Sequence, residues 1–372
     1  MRSDLNILYI IGQLARGGAE RQLYHLLSAL PGPATVLSLS QGGYWADPIR
    51  ALGHTVIALE RTGSWEWGRL VATVKILRQR QPDIVHIFCD QVGTLYARLA
   101  ALIIRHPVVV VGERSLPAHH PAWYRRMLPR LNRAVSAIVC NSQTALERLQ
   151  AQRIARLDQL HFIPNCIDLA RFVGVGDEAV PEPPGTVRRP VVGTVANLTP
   201  QKNPLLFIEA AARVHQAQPQ AQFWMIGDGP LRQPCQALID ALGLQEVVTL
   251  WGQRDDVPAL LGRMDVFVLT SRYEGTPNAL LEAMAARLPC VITDVGDASR
   301  IVREAEAGYV VETEEEADEE AMALSQKILT LLGDACLRAT MGQKGYACMQ
   351  QRYTPDSMAA RYQQLYAQLL AP

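Results

Sequence analysis

The chain has 372 residues, 49% of them apolar, 6% aromatic and 19% charged, and its 36 Lys and Arg are offset by 36 Asp and Glu. At roughly 100–200 residues per domain this length suits about two domains, each large enough for its own core. Such ordinary charge and apolar content exclude wholesale disorder, fibrous repeats and a small disulfide framework.

In chain order, β-branched runs at 6–11, 36–39, 56–59, 84–88, 108–111, 137–140 and 161–163 predict strands, and a second set follows at 191–196, 222–226, 247–250, 266–269, 290–293 and 309–311. Amphipathic stretches, such as 20–30, 66–80, 203–218 and 277–286, predict helices between them. Apolar strands separated by 10–15 residues of helix mean βαβ units and parallel sheets covered on both faces. Residues 174–185 break the rhythm with Pro and Gly and no period, which predicts an interdomain linker. The division expected is 1–172, a linker over 173–189, 190–352, and a last helix over 353–372. That helix, 355–370, has Met358, Tyr362, Leu365, Tyr366 and Leu369 at helical spacing and reads as core packing. Each half is then a doubly wound α/β domain with a ligand crevice at the carboxyl ends of its strands. The cleft between the halves is the expected site.

Charge changes sign at the linker. Residues 1–172 carry 20 Lys and Arg against 11 Asp and Glu, while residues 173–372 carry 16 against 25. A basic half attracts nucleic acid, anionic lipid or phosphorylated substrates, and opposite halves also attract one another. No nucleic-acid recognition motif accompanies the charge. The acidic run 312–320 lacks a calcium-loop spacing and reads as a solvated loop and helix start. The seven cysteines are odd in number, scattered and without a C-x-x-C pair, which predicts reduced thiols in a cytosolic protein and no zinc site. The run 6–11 is too short for a signal-peptide core. The most apolar stretch, 99–111, is interrupted by Arg105, His106 and Pro107, so no spanning helix is expected.

The most informative segment follows the strand at 266–269: Ser271-Arg272-Tyr273-Glu274-Gly275-Thr276-Pro277-Asn278, with Glu282 further on. Thr276 suits a helix cap and Pro277 the first helical position. Gly275 permits close backbone approach, and the helix start offers free N–H groups and positive dipole potential to an anion. Glu274 and Glu282 are placed to border one crevice, and a carboxylate accepts two hydrogen bonds side by side, which suits paired sugar hydroxyls. After the strand at 191–196, Asn197 and Lys202 precede Asn203 as cap and Pro204 as helix opener, and Lys202 is a point charge for a phosphate. Gly227 and Gly229 form a Gly-x-Gly after another strand, and Gly17 and Gly18 stand before the first helix without a Walker lysine. Read as structure alone, these are capped surface helices and ordinary turns.

Together with Gly17-Gly18-Ala19-Glu20-Arg21, Asn141-Ser142, Ile163-Pro164-Asn165-Cys166-Ile167-Asp168 with Phe172, Gly227-Asp228-Gly229-Pro230 and Asp265 to Ser271, the Glu274-x7-Glu282 motif resembles family 4 of the retaining glycosyltransferases. The resemblance spans nearly the whole chain with its motifs in order. It implies a GT-B fold, two Rossmann-like domains facing each other across a cleft, with the last helix crossing back to the first domain. It implies transfer of a sugar from a nucleotide-diphosphate sugar, a UDP-sugar by family frequency, to a glycan or lipid-linked acceptor in cell-surface polysaccharide or glycolipid synthesis. By carry-over Glu282 binds the ribose, Glu274 the donor sugar, and Lys202 the diphosphate with backbone N–H groups near Gly275 and Thr276, and Asn197, Gly227, Gly229, Pro277 and Asn278 also border the donor. Gly17 and Gly18 close the site from the first domain. No D-x-D triplet occurs, so no metal and no cofactor is expected, and Lys202 takes the metal's place.

Four positions depart from the family pattern. Asn197 stands where many members have Arg, and Cys166 and Arg287 stand where Gly is usual. Gly112-Glu113-Arg114-Ser115 stands where a His often follows the strand. Glu113 is therefore expected to orient the acceptor hydroxyl or the sugar, and Arg114 to contact phosphate. His86, alone at a strand end, reads as structural. On the acceptor side, His119, His120, Arg125 and Arg126 join Trp123, Tyr124, Arg130 and Arg133, with Trp65 and Trp67 as a second aromatic pair, in a surface suited to anionic lipid. A cytoplasmic protein, peripheral on the inner face of the membrane, is the expectation. The rival readings are a sugar-nucleotide epimerase on the same fold, which needs no acceptor, and a non-catalytic two-lobed ligand-binding protein.

Overall fold

The computed structural model describes residues 5–59, 67–89, 94–106, 108–114, 121–174, 188–313 and 316–371. Nearly all of the linker expected at 173–189, together with His119, His120, Ser115 and Trp65, lies outside the described residues, as does the Trp67 side chain. The chain divides into two compact units, residues 1–166 with 355–372, and residues 167–354.

In the first unit the strands are β1 (Ile7–Ile11), β2 (Thr35–Ser38), β3 (Thr55–Ala58), β4 (Ile84–Ile87), β5 (Val109–Glu113), β6 (Ala137–Cys140) and β7 (Leu160–Phe162). The helices between them are α1 (Gly18–Ala29), α2 (Ala46–Ala51), α3 (Trp67–Arg80), α4 (Leu95–Ile103), α5 (Ala122–Asn132) and α6 (Gln143–Ala151). All strands run parallel in the order β3-β2-β1-β4-β5-β6-β7. Side chains alternate across a strand, and β1 shows the consequence. Tyr9 and Ile11 pack with Leu23, Leu26 and Leu27 of α1, while Leu8 and Ile10 pack with Leu77 of α3, Ala97 of α4 and Tyr124 of α5. The sheet is thus covered on both faces, which is why its strands read as unbroken apolar runs.

The second unit has β8 (Val191–Val195), β9 (Gln222–Ile226), β10 (Val248–Gly252), β11 (Val266–Leu269), β12 (Cys290–Thr293) and β13 (Gly308–Val311). Its helices are α7 (Pro204–Ala217), α8 (Arg232–Ala241), α9 (Val257–Leu261), α10 (Asn278–Ala285), α11 (Gly296–Ala305), α12 (Ala317–Gly333) and α13 (Ala335–Arg352). The sheet is parallel with the order β10-β9-β8-β11-β12-β13. From β8 the chain winds one way through β9 and β10, then returns to the other side of β8 with β11. The loops leaving β8 and β11 are therefore neighbours at a topological switch point, where open α/β sheets bind ligands.

The last helix, α14 (Pro355–Leu369), belongs to the first unit. Met358, Tyr362, Leu365 and Tyr366 are buried in the core beneath α1 and β1. The units divide at 166/167, six residues before the expected boundary at 172. Ile167 and Phe172 pack into the second core, and the Ile167 N–H donates to the Tyr353 carbonyl at 2.7 Å, so this segment is held by the second unit. Among the described residues, no helix is long and apolar enough to cross a membrane.

Candidate functional site

Beyond β8 the chain passes exposed Asn197 and buried Leu198, makes a short 3-10 turn over Pro200–Lys202, and reaches Asn203 in the left-handed region with φ 46°. Asn is one of the few residues other than Gly that visits this region readily. The kink releases the chain into α7, which Pro204 opens as expected. It also leaves the Lys202 and Asn203 carbonyls both facing the Thr270 hydroxyl, at 3.1 and 3.0 Å. Gln201 fastens the same turn to the β11 loop: its side-chain amide donates to the Tyr273 carbonyl at 3.0 Å, and its own carbonyl accepts from the Arg272 N–H at 2.8 Å.

That loop brings Glu274 to Lys202. The two side chains form an ion pair in which Lys202 Nζ meets Glu274 Oε1, and the Ser271 hydroxyl donates to the same oxygen at 2.6 Å. Glu274 is buried and Lys202 only partly so. Glu274 Oε2 takes no hydrogen bond from any described residue. The helix that follows begins one residue later than expected: Pro277, not Thr276, holds the cap position, and Asn278 is the first helical residue. Pro277 keeps φ at −74° by its ring while its ψ of 125° stays extended, so its carbonyl accepts from Leu280 and Leu281. The N-terminal end of α10, with Thr276 buried beside it, lies next to Glu274, and Glu282 is buried a turn into the helix.

Gly227 and Gly229 answer to packing. The loop after β9 lies against the loop after β8, where the Leu198 N–H donates to the Asp228 carbonyl at 3.0 Å. Gly227 has φ 134°, and a Cβ there would run into the Ala196 carbonyl; a Cβ on Gly229 would meet the Leu198 backbone. Their chemistry is therefore to let two site-forming loops touch.

In the first unit Gly18 is already helical and Gly17 is the cap of α1. A Cβ on Gly17 would run into the Glu20 carboxylate. The end of α1 that the sequence offers to a phosphate thus carries the chain's own carboxyl group. Burial raises the Glu20 pKa, opposed by its own backbone N–H, the Gln13 side chain and the Arg114 charge. Glu113 ends β5 and is buried. Arg114 donates from Nε to the Phe88 carbonyl at 3.1 Å, from Nη1 to Asn165 at 2.9 Å and from Nη2 to the Tyr362 hydroxyl at 3.4 Å, and lies 4.0 Å over the Phe88 ring. Cys166 needs no glycine: the Gln22 side chain pairs with its N–H and carbonyl, each at 2.8 Å. Arg287, by contrast, keeps the left-handed φ of 58° that a glycine would favour, with its guanidinium 4.4 Å over the Tyr346 ring. Arg125 and Arg126 are exposed on α5 beside Trp123. Among the described residues no group of three or more His, Cys, Asp or Glu is arranged to hold a metal ion.

Ser271 stands in the segment the sequence singles out, but Thr270 and Thr293 do not figure there as parts of the site; their signal is a hydroxyl residue just after or at the end of an otherwise apolar strand.

The family model described as Glycosyltransferase Family 4 matches residues 16–171, and that described as Glycosyl transferases group 1 matches residues 189–334. The chain is 28% identical over 284 residues to UDP-Gal:alpha-D-GlcNAc-diphosphoundecaprenol alpha-1,3-galactosyltransferase of Escherichia coli, covering 72% of each protein. It is 26% identical to the lipopolysaccharide core biosynthesis glycosyltransferase LpsE of Rhizobium meliloti, covering 94% of this chain and 96% of LpsE. Among solved structures, Anabaena HepE in complex with UDP and glucose superposes with a TM-score of 0.80 at 21% identity, over 98% of this chain and 99% of HepE. WaaG, a glycosyltransferase involved in lipopolysaccharide biosynthesis, superposes at 0.71 with 15% identity, over 98% of this chain and 100% of WaaG. These likenesses identify the fold as GT-B.

Proposed function

The chain belongs to family 4 of the glycosyltransferases, and on that premise we propose that it moves a sugar, with retention of configuration and without a metal ion, from a UDP-sugar to a glycan or lipid-linked acceptor in cell-surface polysaccharide or glycolipid synthesis. The choice of donor draws support from UDP in the HepE complex and UDP-Gal in the name of the E. coli relative, whose acceptor is a lipid diphosphate saccharide. One observation carries the reading: Lys202 and Glu274 meet at the switch point beside the N-terminal end of α10.

In this reading Glu282 accepts the ribose hydroxyls, Glu274 accepts a donor-sugar hydroxyl through Oε2, and Lys202 takes the diphosphate together with backbone N–H groups around Gly275, Thr276 and Asn278. The C1–O bond breaks with its electron pair passing to the leaving phosphate oxygen. The acceptor oxygen then bonds to C1 on the face the diphosphate leaves, and its proton passes to that phosphate oxygen. Negative charge thus grows on the diphosphate in the transition state, where the Lys202 ammonium, once drawn to the diphosphate, and a helix dipole oppose it. That charge does the work a divalent cation does elsewhere.

The acceptor is assigned to the first unit, with Glu113 at the end of β5 to orient its hydroxyl. Helices α3, α4, α5 and α6 cover one face of that sheet and contain a single acidic residue, Glu147 of α6. With Arg125, Arg126 and Trp123 exposed on α5, this layer suits the anionic inner face of a membrane.

A thermal-shift screen of nucleoside diphosphates and their sugars names the donor, since a ligand stabilises the fold by mass action. With that donor, Lys202→Ala is expected to lower kcat by about 100–1,000-fold while uridine affinity stays within about threefold. An unchanged kcat removes Lys202 from the mechanism.

A further inference from the structure

We propose that Ser271 is a positioning residue, holding the Glu274 carboxylate in register for the donor sugar once Lys202 has left it for the diphosphate. This role rests on the donor reading above.

In the free protein Lys202 is committed to Glu274, yet the proposed reaction needs its charge on phosphate. The lysine is able to leave: its side chain is 21% exposed and its four-carbon stem is flexible. When it does, Glu274 loses one of its two partners, and both bonds fall on a single oxygen, Oε1. Ser271 is what remains. It is 1% exposed, its hydroxyl turns about one bond, and its carbonyl accepts from the Thr293 hydroxyl at 2.6 Å, which ties it to the end of β12. A carboxylate fixed through Oε1 leaves Oε2 at a set place for a sugar hydroxyl. A carboxylate released from both partners would swing about its side-chain torsions, and ordering it again would weaken donor binding.

Thr270, one residue earlier, serves the other half of the pair. Its hydroxyl spans the Lys202 and Asn203 carbonyls, so it fixes the backbone from which the lysine reaches. Two successive hydroxyls beyond β11 thus hold the two members of the ion pair, Thr270 the backbone of Lys202 and Ser271 the carboxylate of Glu274.

The test compares Kd for UDP with Kd for UDP-glucose, UDP-galactose and UDP-N-acetylglucosamine by calorimetry, in the wild type, Ser271→Ala, Glu274→Ala and the double variant. Ser271→Ala is expected to weaken the bound UDP-sugar by about tenfold or more, the scale of a hydrogen bond to a charged group, while UDP stays within about twofold. In the Glu274→Ala background, where the Ser271 hydroxyl has no carboxylate to hold, the same change is expected to cost nothing further. Equal loss for UDP and UDP-sugar, the same loss in both backgrounds, or no loss at all would overturn the role and leave the donor reading standing. A wild type that binds UDP and none of the three sugars overturns the donor reading, and this role with it.

Discussion

His86 shows how far a single side chain is decided by its surroundings. It lies in β4 with no exposure, its Nδ1 2.7 Å from the Tyr366 hydroxyl and its Nε2 without a partner among the described residues. Burial, reinforced by the Arg114 charge, pushes its pKa down to about 3 from 6.5. A depressed native value means that the unfolded chain binds the proton more readily. The contribution to stability is complete above 6.5, shrinks as pH falls, and is lost by about pH 3. Between pH 6.5 and about 4.5 the wild type is expected to lose about 2–3 kcal/mol more than His86→Phe, measured by urea denaturation at both values. Parallel losses would mean that another group titrates. The structural reading of this histidine was open to sequence, since a lone His in an apolar strand has no chemistry to join. The engagement of Arg114 was not, because its partners Asn165 and Tyr362 lie 51 and 248 residues away. Lys202 and Glu274 were each legible from their place after a strand, but their pairing, across 72 residues, was not.

At the scale of elements, the apolar runs located every strand of both sheets, with ends shifted by at most two residues, because strands covered on both faces read as apolar runs. Loops were less legible. Pro277 suits either the cap or the first helical turn, and only its extended ψ decides for the cap. The Gly-x-Gly after β9 reads equally as a phosphate cradle or a tight contact, and the choice depends on the β8 loop that lies against it. Gly227→Ala puts a methyl group into the Ala196 carbonyl at a φ of 134° that side chains avoid. It is expected to destabilise the second unit by about 2 kcal/mol or more, read as a lowered Tm. Since the displaced loop touches the one carrying Asn197 and Lys202, UDP affinity should fall with it. Unchanged Tm and affinity would mean that the loops are not in contact.

For the whole molecule, charge is divided between the two halves of the chain. The first unit is the basic one, and its α3–α6 layer has exposed Lys75, Arg78, Arg125, Arg126 and Arg130 against one acidic residue in its helices, Glu147. Each basic side chain near an anionic bilayer contributes about 1 kcal/mol, screened by salt. Sedimentation with vesicles containing anionic lipid is expected at low salt and lost at high salt. Replacing Arg125, Arg126 and Arg130 by Gln should lower the partition coefficient about 100-fold or more, whereas neutral vesicles should bind neither form. Equal binding to both vesicle types would remove the electrostatic docking.

The packing of α14 has a consequence for synthesis. The second unit is one continuous stretch of chain, while the first is completed by a helix that leaves the ribosome after it. At about 5–20 residues per second, roughly 10–40 s separate the emergence of Cys166 from that of Tyr362. During that interval β1 and α1 wait with their inner surface uncovered. The nascent first unit is then the stage at which a chaperone or a premature stop matters most, and the later-made unit is the earlier to mature.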